Sequence, residues 1–214
     1  MAIERTRLLD RRTQHRDAWL CVVVTEGERT EPQYFLGLQE RGVLPRTRFK
    51  IEVIPPSPTQ HDSAPNHVCQ RADQAMQERR LVLGLDQVWL VLDVDRWGDA
   101  KLDEARKHAR ERGYGLAVSN PCFEVWLLLH HTDALEGADT AAECTRLLRQ
   151  YLGSYSKAAL QLDDFPAERV RQAAERARIR HPESSGWPQT PGSHVYRLIE
   201  PLLPPQLADP PSSR

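Results

Sequence analysis

Two apolar runs, each ending abruptly on carboxylates, restrict what this chain can fold into. Trp19-Leu20-Cys21-Val22-Val23-Val24-Thr25 leads straight into Glu26-Gly27-Glu28-Arg29-Thr30-Glu31-Pro32, and Val88-Trp89-Leu90-Val91-Leu92 leads into Asp93-Val94-Asp95. Runs this short, rich in β-branched and aromatic residues and bounded by Gly, read as buried strands. An α/β sheet places its ligand sites at the carboxyl ends of such strands. Acids gathered there repel one another and lose hydration, so a divalent cation is their natural partner.

The rest of the chain supplies the alternation that such a sheet needs. Strands are expected at about 18–25, at Phe49–Ile54, at about 87–93 and at Tyr114–Val118, with helices at about 31–41, 64–80 and 100–112 between them. Thr30 and Gln33 have capping-box spacing, and Pro32 is tolerated in a first turn. Asn120 reads as the N-cap of a helix with Pro121 in its first position, running from Cys122 to His131 and apolar nearly all round. Strand–helix alternation up to residue 131 predicts an α/β fold, a parallel sheet covered by helices on both faces. From about 139 strand signals cease, and helical segments near 139–151, 166–180 and 193–202 predict a helical annex. The expected division is a basic N-terminal arm (1–17), an α/β core (18–131), the annex (132–203) and a frayed tail (204–214).

Composition narrows the class. Across 214 residues, 40% are hydrophobic, 28% are charged and the net charge is -1, so nucleic-acid binding would need a local patch. No run approaches the roughly 20 apolar residues of a membrane helix, and Met1-Ala2-Ile3-Glu4-Arg5 lacks a signal-peptide core, which reads as cytoplasmic. Cys21, Cys69, Cys122 and Cys144 form no CxxC pair and read as reduced, buried thiols. His61, His67 and Cys69 match no common zinc spacing.

Asp93 and Asp95, two apart, share one face of an extended strand and can share a metal, against the plainer reading of solvated acids in a strand-end turn. Glu26 follows a nearly continuous apolar run, and Gly27 permits close approach to a ligand; a turn residue stabilised by the following helix is its plainer reading. Glu31 ranks next, and Glu28 reads as a helix-start acid. Glu124 falls early in a buried helix, where a carboxylate is costly unless it is salt-bridged or metal-bound. Arg169, Arg176 and Arg180 recur at helical spacing and offer a face that can track a phosphate backbone, or a solvated, salt-bridged face.

Thr25-Glu26-Gly27-Glu28-Arg29-Thr30-Glu31-Pro32, Asp93-Val94-Asp95-Arg96 and Ser119-Asn120-Pro121-Cys122-Phe123-Glu124-Val125-Trp126-Leu127-Leu128-Leu129-His130 together resemble the RloB-like/AbiLii family. The resemblance spans about residues 18–202. Such proteins look like divergent members of the Toprim superfamily, alongside topoisomerases, DnaG-type primases and overcoming-lysogenisation-defect nucleases. It implies a Toprim-like core in which Glu26 is the acid/base glutamate and Asp93 and Asp95 the Mg²⁺-binding pair. Glu31 would be the extra nuclease acid, and Lys157 lies where the family tends to carry a lysine, meeting a phosphate or simply solvated. Where topoisomerases have a third Asp, this chain has Trp97, which counts against nicking–closing chemistry more than against hydrolysis.

The reading this implies is a Mg²⁺- or Mn²⁺-dependent nuclease of a phage-defence or abortive-infection system. Asp93 and Asp95 would hold one ion, and Glu26 would bind metal or relay a proton. Glu31 or Glu124 would complete a second site about 4 Å away. The resemblance implies as partners nucleic acid, DNA or RNA, and an SMC/ABC-type ATPase encoded nearby; no Walker A motif occurs here, so any ATP hydrolysis would fall to such a partner. Two alternatives stand beside it. One is a non-catalytic Toprim-like module that regulates such an ATPase. The other is a haloacid-dehalogenase-type phosphatase, whose DxD motif the Arg96-Trp97 continuation fits poorly.

Overall fold

The computed structural model describes residues 19–47, 49–57, 64–95, 97–182 and 186–205. The basic arm, His61, Arg96 and the tail from 206 lie outside the described residues. Among those described, a five-stranded sheet is flanked by seven α-helices, consistent with a Toprim-like α/β fold. The elements run β1 (Trp19–Thr25), α1 (Thr30–Glu40), β2 (Phe49–Ile54), α2 (Pro65–Glu78), β3 (Gln87–Asp93), α3 (Asp99–Arg112) and β4 (Gly115–Asn120). There follow α4 (Glu124–Leu129), α5 (Ala141–Leu152), α6 (Ala167–Arg180), β5 (Gly192–Ser193) and α7 (Val195–Ile199).

The strand order is β2-β1-β3-β4-β5. β1 pairs in parallel with β2 and β3, and β3 pairs in parallel with β4, while β5 is antiparallel to β4. The chain leaves β1 towards β2, then crosses back to place β3 on the other side of β1. The order therefore reverses between β1 and β3, the crevice where open α/β sheets bind ligands. Thr25 is level with Val91, and Asp93 with Ser119, so the acids that follow β1 and β3 emerge together at this reversal.

Both faces of the sheet are dry because successive side chains alternate between them. Cys21, Val23 and Val91 join one hydrophobic cluster with Tyr34 and Phe35 of α1 and the apolar residues of α4, α6 and α7. Val22, Val24, Leu90 and Leu92 join the other, with Val68 and Ala72 of α2 and Leu102 and Ala105 of α3. All four cysteines are buried, free thiols. No described helix is long and apolar enough to cross a membrane.

Four local expectations are corrected. Thr30 is not a cap: it is the first residue of α1, behind Arg29. Gln33 makes no capping box because its amide is taken by a distant loop, donating to the carbonyls of Arg29 and Lys157 and accepting from the Leu160 N–H. Asn120 is not a cap either. It is the last residue of β4, paired with Gly192; its side-chain amide donates to the Pro188 carbonyl, and the Asn120–Pro121 peptide is cis. α4 is accordingly shorter than expected, and Glu124 is its first residue. The sheet is not purely parallel: β5 adds an antiparallel edge of two residues, too short to leave a periodic signal.

Candidate metal centre

β1 ends at Thr25, and Glu26 continues its ladder for one more bond, its N–H donating to the Val91 carbonyl at 3.1 Å. The Glu26 carboxylate then turns across the crevice to β3. Oε2 accepts from the Asp93 N–H at 3.1 Å and Oε1 from the Trp97 indole at 3.0 Å. Past Asp93 the strand breaks into a turn. The Val94 and Asp95 N–H groups both donate to the Pro121 carbonyl, at 3.1 and 3.0 Å, tying this turn to the end of β4. The expectation that Asp93 and Asp95 share one face of an extended strand therefore fails. Asp93 points inward, and Asp95 is exposed in the turn.

Gly27 follows Glu26, and Glu31 reaches back from α1 so that its Oε1 accepts the Gly27 N–H at 3.0 Å. A Cβ at position 27 would stand 2.2 Å from Glu31 Oε2, so only glycine admits this approach. Glu26, Glu31 and Glu124 are 3%, 5% and 2% exposed, which makes three buried carboxylates around one strand end. Asp93 is partly exposed as a residue, yet its Oδ1 is sealed from solvent and, among the described residues, accepts no hydrogen bond.

Electrostatics divide the group in two. Burial, then the charges of Glu31, Glu26, Glu124 and Asp95, push the Asp93 carboxyl well above the ordinary aspartate range. Burial, with Glu124 and Glu26 adding to it, pushes Glu31 up to about 7 against the lowering effect of its backbone hydrogen bonds. Glu124 behaves oppositely. Burial pushes it up, but the Lys157 ammonium at 2.8 Å and hydrogen bonds from Lys157, Cys122 and Tyr155 outweigh that and leave it below the ordinary range. The Tyr155 hydroxyl donates to the same Oε1 at 2.9 Å.

A family model, RloB-like protein, matches residues 21–202, from β1 to the last helical turn after α7. The chain belongs to the RloB-like family. No curated protein and no solved structure matches it.

In this RloB-like chain, the crevice brings together Glu26, Glu31, Asp93 and Glu124, with Asp95 at its mouth. Oxygen-only donors suit a hard cation such as Mg²⁺ or Mn²⁺, and the sealed, unpaired Oδ1 of Asp93 has the chemistry of a ligand atom. Among the described residues, however, no three His, Cys, Asp or Glu side chains are gathered into a cage as they stand. The reason is visible: Glu26 is spent on Asp93 N–H and Trp97, Glu31 on Gly27, and Glu124 on Lys157 and Tyr155.

Lys157 is not a merely solvated lysine, since it pairs with a buried acid. Of the five arginines of α6, the three at helical spacing are turned back onto the protein. Arg169 donates to His131 Nδ1 and the Asp164 carbonyl, Arg176 to the Leu129 carbonyl at 2.7 Å, and Arg180 to the Asp133 carbonyl. They hold the end of α4 and the turn that follows. Sequence reasoning missed Trp97 as a partner of Glu26, Tyr155 as a partner of Glu124, and Arg71, which reaches from α2 to donate to the Thr25 carbonyl at 2.8 Å. None of these has a spacing signal, because each contact joins residues far apart in the chain.

Proposed function

We propose that this RloB-like protein is a divalent-metal-dependent nuclease, hydrolysing phosphodiester bonds in a phage-defence system alongside an SMC/ABC-type ATPase. The observation that carries the reading is the crowding of buried carboxylates at the β1/β3 reversal: Glu26, Glu31 and Asp93 lie together, and Asp93 Oδ1 accepts no hydrogen bond from the described residues. Carboxylates crowded in this way repel one another, and a bound cation relieves that repulsion.

Asp93, with Asp95 from the mouth of the crevice and Glu26 beside it, would hold the ion, and Glu31 would be available to a second. Mg²⁺ or Mn²⁺ supplies Lewis-acid polarisation of a phosphate oxygen and offsets charge on the leaving oxygen. Glu31, held near neutrality by burial, is suited to take and return a proton at physiological pH. Lys157 offers an ammonium at the rim of the cluster, and Arg169, Arg176 and Arg180 retain further N–H groups for a backbone phosphate.

A second reading, a non-catalytic module that docks on the ATPase, is favoured by the hydrogen bonds that already occupy Glu26. Incubating purified protein with plasmid DNA and with RNA, in Mg²⁺, Mn²⁺ or EDTA, separates the two. The nuclease reading expects cleavage with metal that disappears in Asp93→Ala. An Asp93→Ala protein as active as wild type sinks the site assignment, and a wild-type protein with no affinity for Mn²⁺ selects the module.

A further inference from the structure

The turn that follows β3 carries a large aromatic residue in the middle of an otherwise acidic site. Trp97 is partly buried, its N–H donates to the Val94 carbonyl at 3.1 Å, and Lys101 of α3 lies over its ring at 4.8 Å from the centroid. The indole is thus fixed from both sides, by its own turn and by a cation on its face. Its Nε1–H is aimed at Glu26 Oε1, 71 residues away in sequence, at 3.0 Å. An indole N–H only donates, so it cannot ligate a cation and cannot accept a proton from Glu26. Its partner on the other oxygen, the Asp93 N–H, is likewise only a donor.

Two fixed donors on one carboxylate have a defined consequence. They fix the plane of the carboxylate and the direction in which its remaining lone pairs point. Metal-binding side chains are commonly held in this way, by partners that orient them without touching the ion.

Building on the nuclease reading, we infer that Trp97 is the positioning residue of the centre. Its indole N–H holds Glu26 as an oriented ligand for the divalent cation. Trp97 touches neither substrate nor metal and acts through Glu26 alone.

The test compares wild type, Trp97→Phe and Trp19→Phe, the last altering a tryptophan at the opposite end of the sheet as a control. Mn²⁺ affinity is measured by calorimetry with the metal alone, and kcat and KM are measured separately on a DNA or RNA substrate. Trp97→Phe is expected to weaken Mn²⁺ binding by about tenfold. It is also expected to lower kcat at subsaturating metal with KM for nucleic acid unchanged, and to keep Tm within about 2 °C of wild type. Trp19→Phe is expected to match wild type in all three.

Mn²⁺ affinity in Trp97→Phe equal to wild type overturns the positioning role while leaving the nuclease reading intact. A wild type that neither binds Mn²⁺ nor cleaves overturns the nuclease reading itself. Should Trp97→Phe not fold, the assigned Trp97 indole N–H resonance of the wild-type protein decides. It is expected to shift on Mg²⁺ titration and to move to higher field in Glu26→Gln. An indole resonance indifferent to both overturns the inference.

Discussion

Two buried carboxylate neighbourhoods meet at the end of this sheet, and they are built on opposite plans. On the β4/α4 side, Glu124 is met by the Lys157 ammonium at 2.8 Å and the Tyr155 hydroxyl at 2.9 Å. On the β1/β3 side, Asp93 is surrounded by other acids and one of its oxygens accepts no hydrogen bond from the described residues. The sequence contains carboxylates of both kinds at the ends of apolar runs, and they look alike there. The structure separates an acid paired with an ammonium of the chain from acids crowded against one another, for which a bound cation is a natural counter-charge. Glu124, with its own cation, is better read as the anchor of Lys157 than as a metal ligand.

Breaking the β1/β3 side should give the largest effect. Asp93→Asn keeps the shape of the side chain, removes a charge and gives the surrounding carboxylates an N–H donor. Metal-dependent cleavage is expected to fall to background. Metal-free protein, in contrast, should gain about 1 kcal/mol, seen as a rise in Tm of roughly 2–4 °C for a chain of this size. Loss of function with gain of stability is the signature of a site that stores repulsion. A destabilised Asp93→Asn protein would mean that Asp93 is a structural group.

The β4/α4 side should respond in the opposite sense. Lys157→Met leaves Glu124 buried beside no cation and is expected to cost about 3 kcal/mol, at the low end for a buried pair because the ammonium is half-exposed. Glu124→Gln should cost less, since the freed lysine hydrates and the amide still accepts from Tyr155. Chemical denaturation of the two variants checks the ranking. Equal losses would show that solvent already screens the pair.

Proton linkage distinguishes the two sides without mutation. Glu31 rises from its ordinary 4.5 to about 7, so the folded chain keeps a proton that the unfolded chain releases. Its contribution is therefore lost as pH rises from 4.5 through about 7. His130 and His194 are pushed down to about 3 and His131 to about 4, chiefly by burial, so they act oppositely and cost stability as pH falls below 6.5. Between pH 6.5 and 7.5 these histidines, half protonated in the unfolded chain at 6.5, still add stability while Glu31 removes it, so the Glu31 contribution is read as a difference. Metal-free Glu31→Gln is expected to gain more Tm than wild type across that interval, and added Mg²⁺ to narrow the gap. Equal changes in Tm for the two proteins would place the repulsion elsewhere.

What the sequence made legible follows from the range of the forces involved. β1 and β3 are bounded by Gly and carry β-branched residues, so Glu26 and Asp93 could each be placed at a strand end from local pattern alone, while the adjacency of the two strands is set by the sheet order. The reach of Glu31 back to Gly27 is likewise local, four residues along the chain. Trp97 and Tyr155 were not legible, because their bonds to Glu26 and Glu124 join residues 71 and 31 apart and depend on tertiary packing. Asn120 misled for a different reason. Asn before Pro suits both a helix cap and the end of a strand, and the pairing with Gly192 that decides between them lies in another element. Asp95 was placed on the face of Asp93 by strand periodicity, which the turn held by the Pro121 carbonyl interrupts one residue too early.

The smallest effect probes how tightly the β1/β3 side is packed. In Gly27→Ala the new methyl would stand 2.2 Å from Glu31 Oε2. The backbone need not move, because the carboxylate is the free end of a side chain, but Glu31 must surrender its hydrogen bond from the residue 27 N–H. That loss is expected to cost about 1 kcal/mol. The double variant Gly27→Ala/Glu31→Ala removes the obstacle together with the carboxylate, so the two changes should be clearly non-additive, with the glycine substitution nearly neutral once Glu31 is gone. Additive losses would mean that Gly27 serves the backbone of the turn and not the approach of Glu31, and the β1/β3 acids would then be less crowded than their geometry requires.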